Sequence, residues 1–329
     1  MAMAKTRYVR DFKEGEAVRD IFLVASKAVQ TSSSGKPYIA MTLRDRTGAV
    51  ECRVWDRAEE IGRRFERDDV VEATGTAIVY QGRVQLKVFD VRKVPPAEIP
   101  VTEFLPVTER GIEPLWGELR YLVETVGDPH LRRLLDLVFP DPPESETARR
   151  FREAPGGKTM HHDYIGGLME HTVSVAGMCR WLAKHYGERV NGDLLVAGAL
   201  LHDLGKVREL SYEGAFDYTD EGRLLGHIFL GAEEVQRWCE SFPGFPRELT
   251  VLLVHMILSH HGEYAYGSPK RPKTVEAVIL HFVENMDAKV ASFLDALSDL
   301  QEGERWTGYQ RMFERFLFSG KFEGDEEKP

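Results

Sequence analysis

Residues 199–210 read ALLHDLGKVREL. This apolar run is interrupted by His202, Asp203 and Lys206, three groups that a helix core excludes. Taken singly, a buried His is usually a hydrogen-bonded core residue and an Asp a helix cap. Together, with the Lys one helical turn beyond His202, they put a metal-type nitrogen, a metal-type carboxylate and a phosphate-type cation in one patch. The patch becomes a site only if the rest of the chain supplies more ligands.

Working outward, the periodicity is helical from about residue 114 and largely remains so to the C-terminus. Helices are predicted at 114–126, 129–138, 144–153, 168–187, 191–205, 224–241, 246–261 and 274–300. In or at the ends of these lie His171 in GGLMEHT, His227 in LLGHIF, His260 and His261 in ILSHHGE, and Asp287 in ENMDAKV. The stretch ELSYEGAFDYTDEG reads as a short hairpin or ordered loop, EYAYGSPKRPKT as a loop, and the tail GKFEGDEEKP as disordered.

The N-terminal quarter has the period of strands instead. Five β-rich runs, 18–30, 37–44, 49–55, 70–80 and 83–94, are separated by turn signals such as TSSSGKP, DRTGA and YQGR. Ile39, Met41 and Leu43, then Val50, Cys52 and Val54, then Val84, Leu86 and Val88 form the apolar face. The other face carries Tyr38, Arg53, Trp55, Arg83, Lys87 and Phe89. Rings that stack on bases, interleaved with cations that meet phosphates, suit single-stranded nucleic acid, and the pattern resembles an OB fold. The plainer reading is that Trp55 or Phe89 packs on a neighbouring domain. The expected organisation is an all-β OB-fold barrel over 1–95, a Pro-rich linker over 96–113, an all-α domain over 114–318 and a polar tail over 319–329.

Composition limits the class. The 329 residues are 43% hydrophobic and 29% charged, as in globular proteins, and no run of about 18 apolar residues would span a membrane. The N-terminus lacks an apolar stretch behind its basic residues, and Cys52, Cys179 and Cys239 are odd in number without a CxxC, so a cytoplasmic location is expected. Net charge is −10 but divides unevenly: residues 1–95 hold 18 Lys and Arg against 14 Asp and Glu, and the remainder 25 against 39. A basic first module suits a polyanion, and an acidic remainder suits bound divalent cations. A homo-oligomer is a candidate state that the sequence does not fix.

The ordered series His171, His202–Asp203, His227, His260–His261, Asp287 resembles the two-metal branch of the HD superfamily of phosphohydrolases. The phrases KTMHHDYIGGLMEHT, LLHDLGKVREL, YTDEGRLLGHI and SHHGEYAYGSPKRPKTVEA, behind an OB fold, are similar to the YhaM-type 3′-to-5′ exoribonucleases. That resemblance implies an enzyme that shortens single-stranded RNA, and single-stranded DNA as a further substrate, with two divalent ions, Mn2+ ahead of Fe2+, Co2+ or Zn2+. It also implies that His171, His202, Asp203 and Asp287 hold one ion, and that a bridging Asp203 shares the second with His227, His260 and His261. A hydroxide between the ions would then be the nucleophile. The chemistry is sound independently: phosphodiester hydrolysis needs an activated water and positive charge on the phosphoryl oxygens, which cations about 3.5 to 4 Å apart supply.

Asp203 and Lys206 are the candidate catalytic residues, the ammonium holding a phosphate oxygen or the leaving alkoxide; the plain alternative for Lys206 is a helix-end cation. His161, His162, Arg223 and Lys270 are candidate substrate contacts, with loop or surface roles as their alternatives. His130, His185, His255 and His281 read as surface or packing residues, and Glu170 as a neighbour supporting His171. Two other functions stay open: a cyclic-dinucleotide or free-nucleotide phosphohydrolase, although Gly267, Ser268 and Pro269 stand where a Gly-Tyr-Pro element would be, and an inactive nucleic-acid-binding adaptor. A stacking platform favours a polymer over a mononucleotide.

Overall fold

Alternating apolar residues build the first part of the molecule. The computed structural model describes residues 5–32, 35–80, 82–95, 103–157, 164–211, 217–298, 300 and 303–320. The chain divides into two compact units, one of Met1–Gly111, Tyr164–Gly166 and Leu210–Thr219, the other of Ile112–Asp163, Gly167–Glu209 and Asp220–Pro329.

In the first unit, strands β1 (Ala17–Thr31), β2 (Pro37–Asp45), β3 (Gly48–Val54), β4 (Val70–Tyr80) and β5 (Arg83–Lys93) close into a barrel in the order β1-β2-β3-β5-β4. The long β1 pairs with β4 through Ala17–Leu23 and with β2 through Leu23–Thr31. A register shift between Val24 and Ser26 lets it turn from one neighbour to the other. Phe22, Ile39, Met41, Leu43, Cys52, Val54 and Leu86 fill the interior, each large apolar side chain contributing about 1.5–3 kcal/mol by its burial. The short helix α1 (Ala58–Gly62) adds Ala58 and Ile61 to that core; five residues are too few to show a period in the sequence.

Val84 departs from expectation. It does not join the core with Leu86 and Val88 but is exposed, as is its cross-strand partner Val79, because the β4–β5 hairpin runs past the end of the packed interior. The two-residue strands β6 (Leu210–Ser211) and β7 (Asp217–Tyr218) pair as the expected hairpin and belong to this first unit.

The second unit is helical: α2 (Ile112–Glu124), α3 (Pro129–Val138), α4 (Glu146–Glu153), α5 (Gly167–Tyr186), α6 (Gly192–Leu201), α7 (Lys206–Glu209), α8 (Asp220–Ser241), α9 (Arg247–Ser259) and α10 (Val275–Ser298). The apolar α6, buried along its length from Leu194, is the central element, packed by α5, α9 and α10. Two expectations need correction. The helix expected to run to 205 ends at Leu201, so His202 and Asp203 sit in a turn before α7. Among the described residues helical structure also stops with α10: residues 303–320 form an irregular hairpin bridged at Trp306–Phe318 and Gln310–Arg315. No helix among the described residues is long and apolar enough to cross a membrane.

Candidate metal centre and nucleic-acid face

Five histidines converge through one repeated device. A helix leaves its last carbonyls without intrahelical donors, and His202 and His260, the residues that close α6 and α9, each turn Nδ1 back onto such a carbonyl, Ala199 O and Ile257 O, both at 2.7 Å. His261 Nδ1 meets Tyr266 O at 3.0 Å. The other two use carboxylates: His171 Nδ1 lies 2.7 Å from Asp287 Oδ2, and His227 Nδ1 3.1 Å from Glu209 Oε1. Carbonyls and carboxylates only accept, so Nδ1 carries the hydrogen in every ring and each neutral ring leaves Nε2 as a lone pair. Burial opposes the charge of His202, yet Asp203 and the Ala199 carbonyl raise its pKa, and it gives up its second proton when it becomes a ligand.

Asp203 stands among these lone pairs. Its Oδ2 lies 3.4 Å from His202 Nε2 and 3.6 Å from His171 Nε2, its Oδ1 3.5 Å from both His227 Nε2 and His260 Nε2. Two sets of potential metal ligands result, His171–His202–Asp203 and His227–His260–His261, the atoms of each lying within 4.8 Å of one another. Asp203 Oδ1, His227 Nε2 and His260 Nε2 are buried without a hydrogen-bond partner. Three facing acceptors cannot satisfy one another, and a cation satisfies all three, so the donor set fits divalent metal.

The electrostatics agree. Burial alone would raise the Asp203 carboxyl, but Lys206 and His202 outweigh it and hold the group well below the usual carboxylate range. Lys206, the first residue of α7, pairs with Asp203 Oδ2 at 2.7 Å and donates to Gly156 O at 2.7 Å. Burial opposes its charge, yet Asp203 raises its pKa above the ordinary value. Burial pushes His171 down, His260 to about 3 and His261 to about 4, so these rings are neutral, as ligands must be, at pH 7.

Two glycines shape the backbone here. Gly226 interrupts α8 with φ +73°, so that His227 begins a new helical segment whose first N–H groups are open; Glu209 Oε1 accepts from His227 N at 3.0 Å as well as from the ring. Gly205 packs its α-carbon against that segment: a Cβ there would sit 2.0 Å from His227 O and 2.6 Å from Gly231 N.

Several supporting residues carry no motif and, apart from His281, which reads in the sequence as a surface or packing residue, escaped sequence reading. Glu209 is one. Ser174 donates to Asp287 Oδ1 at 2.5 Å, His281 donates through Nδ1 to His260 O at 2.9 Å, and Glu284 has its pKa raised to about 7 by burial and by the Asp203 charge. Helical spacing offers a faint signal: Glu209 follows Lys206 by three residues, and Glu284 precedes Asp287 by three. Asp287 is not in either set of mutually close ligand atoms; one of its oxygens lies on His171 Nδ1 and the other accepts from Ser174, which puts its carboxylate beside the first set. His161 and His162 lie outside the described residues. Arg223 is exposed on the first turns of α8, and Lys270 lines a separate cavity of about 790 Å³ with Cys239, Phe242, Leu258 and Lys273.

On the barrel, strand register gathers most of the expected outer face. Tyr38 and Trp55 stack at 4.6 Å and 23°. Arg53 and Lys87 are partners across the parallel β3–β5 pair, and Lys87 Nζ lies 5.9 Å from the exposed Phe89 ring. Arg53 also pairs with Glu51 at 3.2 Å. Arg83 pairs with Tyr80 at the opposite end of β5, roughly 20 Å along the strand from Phe89 at about 3.4 Å per residue, and is not part of this cluster.

A family model described as an HD domain matches residues 168–289, and one described as an OB-fold nucleic acid binding domain matches residues 23–94. Among curated proteins, the 3'-5' exoribonuclease YhaM of Geobacillus sp. (strain WCH70) is 34% identical over 294 residues, covering 89% of each chain. The protein of that name from Shouchella clausii (strain KSM-K16) is 34% identical over 90% of this chain and 91% of its own. That from Bacillus subtilis (strain 168) is 32% identical over 88% and 90% respectively. The barrel is thus an OB fold and the helical unit carries an HD domain.

Proposed function

The chain belongs to the YhaM family of 3'-5' exoribonucleases and is a hydrolytic enzyme; on that premise we propose that it removes nucleotides from the 3′ end of single-stranded RNA, with single-stranded DNA as a second substrate, using two divalent ions, Mn2+ foremost. The observation that carries the reading is the trio of orphaned acceptors, Asp203 Oδ1, His227 Nε2 and His260 Nε2. His171, His202, Asp203 and Asp287 would hold one ion; Asp203, His227, His260 and His261 the other. When bound, the ions supply Lewis-acid polarisation of the scissile phosphate and lower the pKa of water.

The chain's own groups do the rest. Hydrogen bonds at Nδ1 keep each Nε2 aimed inward, so little reorganisation accompanies loading. Asp203 offers one oxygen to each ligand set and is charged at neutral pH. Lys206, held protonated beside it, supplies a fixed cation for a non-bridging oxygen or for the leaving alkoxide. On the barrel, Tyr38, Trp55 and Phe89 offer faces for bases while Arg53 and Lys87 meet phosphates, which favours a polymer over a mononucleotide.

Incubation with 5′-labelled single-stranded RNA and Mn2+, with and without chelator, tests this directly. The expected result is a ladder shortening from the 3′ end that chelator abolishes. Internal cuts, or intact RNA while a cyclic dinucleotide is hydrolysed, would overturn it.

A further inference from the structure

The helix α10 has two faces. One carries Leu280, His281, Glu284 and Asp287 toward the histidine cluster. The other presents Val275, Val278, Phe282, Met286, Val290 and Leu294, each between 40% and 65% exposed. Beyond the helix, the hairpin at 303–320 exposes Trp306, Tyr309, Met312 and Phe316 and abuts α10 through the Phe293–Phe313 ring contact of 5.3 Å. Scattered apolar residues on a surface are ordinary, but a continuous row along a 24-residue helix is not.

From this we infer that the outer face of α10, extended by the C-terminal hairpin, docks against the same face of a second copy of the chain. The spacing is that of an i, i+4 ridge: after the first step of three, every step is four. Two such ridges interdigitate at a crossing angle of about −50°, the commonest class of helix packing. Helices at that angle touch over only a few turns, and reversal about residue 284 lays Phe282 over Met286 at the crossing, with Val278 and Val290 on either side. This is the self-complementarity that a two-fold interface requires. None of the six ridge positions carries a charge, so no like charges are forced together.

The area also suffices. Phe282, Trp306, Tyr309 and Phe316 are aromatics that bury roughly 150–250 Å² each when fully covered, and with the half-exposed aliphatic positions of the ridge they make an apolar surface comparable to the ~800 Å² per partner of a standard interface. An anionic partner fits poorly. Residues 96–329 hold 39 Asp and Glu against 25 Lys and Arg, which repels a polyanion or an acidic lipid surface from an uncharged ridge.

Sedimentation and light scattering on the full chain test the inference. The wild type is expected at a multiple of 37.4 kDa at tens of micromolar protein, and Phe282→Glu with Val290→Glu is expected to reduce it to monomer while the far-ultraviolet dichroism is retained. In an independent arm, Phe282→Cys protein mixed with Met286→Cys protein should form a disulfide-linked dimer on mild oxidation, because the register puts these two positions opposite each other; Cys52, Cys179 and Cys239 are buried, so the wild type provides a quiet background. A wild type that stays monomeric at that concentration would overturn the inference. So would an oligomer indifferent to both glutamates, or a mixture of Phe282→Cys and Met286→Cys proteins that does not cross-link.

Discussion

The outer face of the barrel and the histidine cluster are assembled by opposite means. On the barrel, Arg53, Trp55, Lys87 and Phe89 come from two neighbouring strands in register, stay partly or fully exposed, and make few obligatory contacts. The cluster draws five imidazoles and a carboxylate from four separate parts of the helical unit, buries Asp203, His171, His202 and His260, and fixes each ring by a second bond at Nδ1. The first is redundant, so losing a member weakens it by increments. The second is all-or-none, because deleting one group strands the others as buried, unsatisfied acceptors.

The sharpest break in that contrast is Asp203→Ala, which removes the carboxylate shared by both ligand sets. Turnover should fall by ~10³-fold or more, consistent with several kcal/mol of charge stabilisation, and bound metal measured by elemental analysis should drop below that of the wild type. Full activity with unchanged metal would remove the assigned centre. Lys206→Ala should lower kcat by roughly 10²-fold, the scale for losing one electrostatic stabiliser. Metal content should be spared, and a parallel loss of metal would make Lys206 a structural partner of Asp203.

Glu209→Gln keeps the size of the side chain but weakens its hold on His227. A loss of about 10- to 100-fold in metal affinity, read by competition with a chelating dye, is expected for a group that aims a ligand. Unaltered affinity would place His227 outside the centre. On the barrel, Trp55→Ala with Arg53→Ala should weaken binding of a long single strand by roughly tenfold, since one stacked base is worth about 1–3 kcal/mol. The salt dependence should become shallower, while hydrolysis of a small phosphodiester is unchanged. Equal losses on both substrates would mean that the face is structural and that the contrast with the cluster is mistaken.

The smallest effect is one of pH. His260 and His261 have folded pKa values of about 3 and about 4, below the ordinary 6.5. Unfolding therefore takes up protons between those limits, and the contribution of these rings to stability is complete above about 6.5 and lost as pH falls toward 4. In a Glu284→Gln background, which removes a carboxyl whose raised pKa of about 7 acts in the opposite sense, the midpoint of thermal unfolding of metal-free protein should decline as pH falls from 6.5 to 5. A flat profile through that range would show the rings to be less buried than the structure has them.

Sequence by itself determined the parts whose signal is periodic or compositional. Two-residue alternation marked all five barrel strands nearly to their ends, because each strand has one face in the core. The order His, His-Asp, His, His-His, Asp named the polar groups that an apolar helical domain would otherwise exclude. Only the tertiary structure decided which atoms meet. Nothing local in the chain says that Glu209 holds His227 across a break at Gly226, that Asp287 turns to His171 and Ser174, or that Val84 lies beyond the barrel's packed interior. Each depends on the approach of segments distant in sequence, and a carboxylate that grips a histidine looks in sequence like one that faces water. The same holds for α10. Its period announces a helix, but burial against α5, α6 and α9 decides which of its two apolar faces belongs to the core and which is left for a partner.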